Sequence, residues 1–207
     1  MPTRAIAAAA ACALALGATA ANATTYDFST LPQGTTVTPL TLNGATFTAS
    51  NDPGGFTVGP NGGLFSTLGA SVLSSGGVAA TLDIAFNTAQ TGISFDVGTG
   101  DYLPGVFNTN DSVTVSAYNG STLVSTQSII PVIPTASGDS YPQGFFSLAS
   151  GAGFTSVVIS ASDSSGAESF AIAELASTPV PLPGTLWMLL SGMGGLTLLR
   201  RRVAART

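Results

Sequence analysis

The sequence predicts an all-β fold: an antiparallel β-sandwich of jelly-roll type, flanked by an N-terminal signal peptide and a single C-terminal transmembrane helix. Three observations predict it. In the middle of the chain, apolar and polar residues alternate in several short runs, the two-residue period of a strand with one buried face. Turn dipeptides and Gly/Pro/Asn-rich stretches recur at short intervals there, and no long stretch carries a helical period. An apolar run stands at each end of the chain with arginine beside it.

Arg4 is followed by an uncharged Ala/Leu-rich run over residues 5–21. Ala21-Asn22-Ala23 is an A-x-A cleavage site, with Ala18-Thr19-Ala20 as a weaker alternative, so residues 1–23 read as a secretory signal peptide. Cys12 lies inside the run. Ala9-Ala10-Ala11 precede it and the apolar run continues past it, which argues against a lipidated cysteine.

The domain between the signals covers residues 24–176, one domain by length. Val78, Ala80, Leu82, Ile84 and Phe86 fall on one face of a strand. Ile93, Phe95 and Val97 do the same, as do Val113, Val115 and Ala117, then Val157, Ile159 and Ala161, then Phe170 and Ile172. Asn43-Gly44, Asn61-Gly62 and Asn119-Gly120 are turn dipeptides that accept positive φ, and Asn119-Gly120 sits between two strand-like runs as a hairpin. Residues 51–63, 98–110 and 131–144 read as loops, and residues 176–179 as a linker. Loops on a sandwich are where binding tends to sit.

Charge excludes whole classes of function. All five basic residues are arginines at positions 4, 200, 201, 202 and 206, and all ten acids lie between Asp27 and Glu174. The domain therefore carries ten formal negative charges and no Lys, Arg or His. Nucleic acid and anionic lipid are repelled. No Ser-His-Asp or Cys-His system and no histidine metal ligand exists in it, and no disulfide. Oxygen chemistry remains, suited to a hard cation or to sugar hydroxyls.

Asp96 and Asp101 bracket a glycine turn, and with Asp111 they are candidate calcium ligands; the alternative is a capped polar turn. Asp163 and Glu168 frame a similar loop. No motif selects a carboxylate pair for glycoside hydrolysis, so no catalytic residue is assigned and the chain is not read as an enzyme. Tyr102, Phe107, Tyr118, Tyr141, Phe145 and Phe146 are candidates for a sugar-stacking platform, set against ordinary core packing.

The tail, residues 177–207, has three parts: the proline motif Val180-Pro181-Leu182-Pro183, an uncharged apolar run at 184–199, and Arg200-Arg201-Arg202. The prolines enforce an extended backbone, the shape a protease binds as a strand. As a helix the apolar run is about 24 Å long, and residues on either side bring it close to spanning a bilayer. The arginines hold its end in the cytoplasm. A plain membrane anchor fits this spacing too. The ordered residues Val180 to Pro183, Trp187, Ser191-Gly192, Gly194-Gly195-Leu196 and Arg200 to Arg202 resemble the PEP-CTERM sorting signal of Gram-negative bacteria, in a VPLP variant with Leu182 where the common form has Glu. The resemblance implies an exosortase, a membrane cysteine protease, as partner, and cleavage near the prolines. It also implies a place at the cell surface or in the matrix of an exopolysaccharide-producing bacterium, in a structural or adhesive role; a carbohydrate- or calcium-binding module is the alternative.

The opening stretch, Tyr26-Asp27-Phe28 then Leu31-Pro32-Gln33-Gly34-Thr35, resembles the first strand and turn of exported bacterial jelly rolls, and Phe170 to Leu175 resembles their closing strand. Asp27 matches a position that helps hold a structural calcium in related folds. Ala173 replaces the second acid, and strict alternation would put Glu174 on the opposite face.

Overall fold

Alternation is realised as antiparallel strands. The computed structural model describes residues 22–51, 55–77, 80–100, 111–134, 141–162 and 167–181. Among them, all regular structure is strand apart from one 3-10 turn at Phe28–Thr30. The strands are β1 (Thr24–Tyr26), β2 (Leu40–Leu42), β3 (Ala45–Ser50), β4 (Phe56–Pro60), β5 (Ser71–Ser75) and β6 (Thr81–Thr99). They continue with β7 (Ser112–Asn119), β8 (Thr122–Ile129), β9 (Gln143–Ser162), β10 (Ala167–Glu168) and β11 (Phe170–Pro179).

Two long strands change partners at mid-length and so belong to two layers. The first part of β6 lies between β3 and the second part of β9, in the order β2-β3-β6-β9-β7-β8. The second part of β6 lies between β11 and the first part of β9, in the order β4-β5-β11-β6-β9, with β1 added to β11. Register shifts between Ala85 and Gly92 mark the change. The runs at 78–86 and 93–97, expected as separate strands, are thus one strand from Thr81 onward.

Inward residues of both layers form one core. Phe47, Leu82, Ile84, Val113, Val115, Val157 and Ile159 come from the first layer, and Phe56, Phe95, Val97, Phe146, Leu148 and Ile172 from the second. Tyr26 of β1 meets Phe47 of β3 edge-on at 5.8 Å between ring centroids, bridging the layers, and Phe95 stacks on Phe146 at 5.0 Å. Such pairs contribute about 0.5–1.5 kcal/mol beyond area burial. The result is a β-sandwich.

The outward face of the first layer explains the Ser/Thr content. Ser50, Thr81, Ser160, Thr114 and Ser128 stand in register on five adjacent strands. Hydroxyls bond across strands at 2.7 Å in the pairs Thr114–Ser128 and Ser116–Thr126, and the Ser50 hydroxyl donates to Asp83 at 2.7 Å. These pairs stabilise a sheet that has no cation to offer its carboxylates.

Turns follow the dipeptides with one shift. Asn43 and Gly44, at φ 47° and 81°, close β2 on β3 as a two-residue turn. In the β7–β8 hairpin Asn119 pairs with Thr122, so the turn is Gly120-Ser121, one residue later than expected, with Gly120 at φ 58° in its first central position.

Four loop or linker expectations are corrected. The loop expected at 98–110 begins in strand, because β6 runs to Thr99, and its residues 101–110 lie outside the described residues. The loop expected at 51–63 contains β4, whose Phe56 and Val58 are buried. The loop expected at 131–144 ends in strand, because Gln143 starts β9 and bridges Val132. The linker expected at 176–179 is strand: β11 pairs with β6 through Pro179, and the Val180 N–H donates to the Ala89 carbonyl at 2.9 Å. The folded unit runs from Ala23 to Val180, past the boundary at 176. Ala21, Leu182, Pro183, the apolar run at 184–199 and Arg200 to Arg202 lie outside the described residues.

Candidate functional site

The segment between β4 and β5 folds back over the outward face of the second layer, and one side chain shapes it. Asn61 accepts from the Phe65 N–H at 3.0 Å through Oδ1, and its Nδ2 donates to the carbonyls of Phe65 and Leu68 at 2.5 and 3.0 Å. Leu68 packs on Val72, Ala171 and Ala173, with Phe65 at the margin. Gln143 of β9, buried to 3 % exposure, latches the segment: its Oε1 accepts from the Thr67 N–H at 2.8 Å and the Thr67 hydroxyl at 2.7 Å.

Glycine decides where the rings lie. A Cβ on Gly98 would come closer than 3.0 Å to three ring carbons of Phe65, and a Cβ on Gly100 would collide with the Tyr141 ring. Both rings therefore rest on bare backbone. Their centroids are 5.6 Å apart, with planes at 57°. Beside them opens a cleft of about 410 Å³, lined also by Asn61, Ser74, Ser75 and Ser169. The Ser169 hydroxyl donates to the Gly100 carbonyl, and Ser75 Oγ accepts from the Phe170 N–H at 3.0 Å. Among the described residues no lining residue is charged. A ring pair with hydroxyls and an amide at hand is what a small polar ligand with an apolar face needs.

The sequence-predicted residues scatter. Tyr141 lines the cleft, Phe145 is exposed on the outward face, Phe146 is core, and Tyr118 is half-buried on β7 of the other layer. Tyr102 and Phe107 lie outside the described residues. The expected platform is not one surface. Phe65 was missed: it follows the Asn61-Gly62-Gly63 turn as a lone aromatic, and that placement was its only signal.

The calcium candidates are described only in part. Asp96 points outward between the core residues Phe95 and Val97, half-buried, whereas Asp111 is buried to 1 % exposure just before β7. Asp101 and Asp163 lie outside the described residues, and Glu168 is buried in β10. Among the described residues no group of three or more acidic, His or Cys side chains is placed to hold a metal ion. Asp27 caps the 3-10 turn, accepting from the Ser29 N–H at 2.8 Å; bonds from the Ser29 side chain and backbone hold its carboxyl below the usual range.

Glu174 departs from alternation. It is the extra residue of a bulge between Ala173 and Ala176, with φ 51°, and its side chain is exposed. Its charge reaches Asp96, whose carboxyl is pushed up first by burial and then by Glu174. Both carboxylates belong to the layer that carries the cleft, outside its lining.

No family model matches the chain, and no curated protein matches it. Solved structures do. A DUF4465 family protein from Bacteroides caccae is similar at a TM-score of 0.53 and 12 % identity, over 77 % of this chain and all of that one. The K2 cleaved adhesin domain of Lys-gingipain is similar at 0.48 and 14 %, over 76 % of this chain and 98 % of that one. The CBM22-1 xylan-binding domain of Paenibacillus barcinonensis Xyn10C is similar at 0.43 and 12 %, over 79 % of this chain and 97 % of that one. At these identities the first likeness speaks to the fold alone.

Proposed function

We propose that this chain is an exported, surface- or matrix-associated β-sandwich that holds glycan in the Phe65–Tyr141 cleft, an adhesive module delivered through an exosortase-type sorting signal. The observation that carries the binding reading is the seating of two rings on Gly98 and Gly100 beside an open, uncharged cleft. Sugar rings present C–H faces to aromatics and hydroxyls to polar edges, and the lining offers both.

A glycan array probed with the purified chain tests the reading. Binding that Tyr141→Ala abolishes, with melting temperature unchanged, supports it. An array with no ligand above background rejects it. The sorting reading rests on residues 180–202 and has its own test: mass spectrometry of the surface form finds a C terminus between residues 181 and 184, and a surface form ending at Thr207 refutes processing.

A further inference from the structure

We infer that the cleft takes an uncharged, single glycan chain, and refuses both anionic polysaccharide and the face of a crystalline one. The inference rests on the glycan reading of the site and narrows it.

Charge gives the first half. An anionic sugar is held in proteins by arginine, lysine or a bound cation. Between residues 5 and 199 there is no basic residue, and all ten acids lie there. The described lining of the cleft is neutral, and with no basic side chain in the domain no counter-charge is offered at close range. Asp96 and Glu174 stand outward on the same layer, near enough for one to hinder ionisation of the other. A uronate or sulfate approaching the cleft thus meets repulsion over a Debye length of about 8 Å at physiological ionic strength, with nothing to offset it. A neutral sugar loses nothing on this account.

Ring geometry gives the second half. Two rings that grip a crystalline surface must be coplanar, because the surface is. Phe65 and Tyr141 are tilted by 57° and cannot both lie flat on one plane. Glycine at 98 and 100 makes room for this arrangement, since each ring occupies the volume of an absent Cβ. Rings 5.6 Å apart at this angle suit the sides of one chain that turns between successive sugars.

Affinity electrophoresis and pull-down of the full-length chain test this. The probes are soluble neutral polysaccharides (xylan, mixed-linkage glucan, galactomannan, dextran), anionic ones (alginate, hyaluronan, polygalacturonate) and crystalline cellulose. The expected result is retention by at least one soluble neutral probe, lost in Tyr141→Ala and largely kept in Tyr141→Phe. That retention is unchanged between 20 and 300 mM salt, and every anionic probe binds at least about tenfold more weakly at low salt. Comparable binding of an anionic probe at low salt, with or without added calcium, overturns the inference and leaves the glycan reading intact. So does retention by crystalline cellulose alone. Retention by no probe removes the glycan reading itself.

Discussion

Gly98→Ala puts the seating of Phe65 to a direct test. Gly98 is in a strand and its φ is not in the left-handed region, so alanine is compatible with the backbone. By itself the change would stabilise by about 0.4–1 kcal/mol, through the lost freedom of the unfolded chain. The three atoms nearest the new Cβ, all under 3.0 Å, are ring carbons of Phe65. Overpacking of this kind costs about 1–3 kcal/mol. The net expectation is a loss of about 1–2 kcal/mol, a fall in melting temperature of roughly 2–8 °C for a unit of this size. The decisive measurement is a double-mutant cycle by thermal and urea unfolding. In a Phe65→Ala background the clash is gone, and Gly98→Ala becomes neutral or stabilising. The two substitutions therefore couple by about 1–3 kcal/mol, within the range for contacting residues. Additivity within about 0.3 kcal/mol would refute the seating, and with it the argument for the cleft's shape. Gly151→Ala, which meets nothing within 4 Å, is the control.

Gln143→Met keeps the volume but removes both bonds to Thr67; unfolding measurements should give a loss of about 1–3 kcal/mol, with amide exchange rising in residues 61–70 before the rest of the sheet. Asp96 is raised above its ordinary value of 3.8, so folding opposes its ionisation. That contribution is absent below 3.8 and grows as pH rises through the raised value. Asp96→Asn should accordingly raise the melting temperature at pH 7 and leave it unchanged at pH 3; equal effects at both pH values refute the assignment. The absence of basic residues between positions 5 and 199 predicts that salt stabilises: melting temperature rises from 10 to 300 mM sodium chloride, whereas a fall would mean that attractive pairs dominate.

What the sequence made legible was burial with a clean period. Leu82, Ile84 and Phe86 announce an inward face because three apolar residues alternate without interruption, and Val113 to Ala117 do the same. β4 was hidden because only Phe56 and Val58 alternate before Pro60, too short a run to outweigh the flanking glycines. The first part of β9 was hidden because its outward Phe145 blurs the period beside inward Phe146. The bulge at Glu174 left no mark in the alternation, and it reversed the facing of that side chain. The cleft was the least legible feature. It is built by contacts between Phe65 and Gly98, Tyr141 and Gly100, Thr67 and Gln143. Each pairs residues distant in sequence, and none of the glycines reads as other than a turn.

The continuity of β11 sets the reach of the molecule. The strand begins at Phe170, which lines the cleft, and ends at Pro179, followed by Val180 clasped to Ala89. Ten residues at about 3.3 Å each separate the two by about 30 Å. Whatever grips the chain beyond Val180 therefore pulls on one end of a strand whose other end borders the cleft. A pull along β11 from Val180 runs parallel to its ladder with β6, loading the hydrogen bonds in shear rather than unzipping them one at a time.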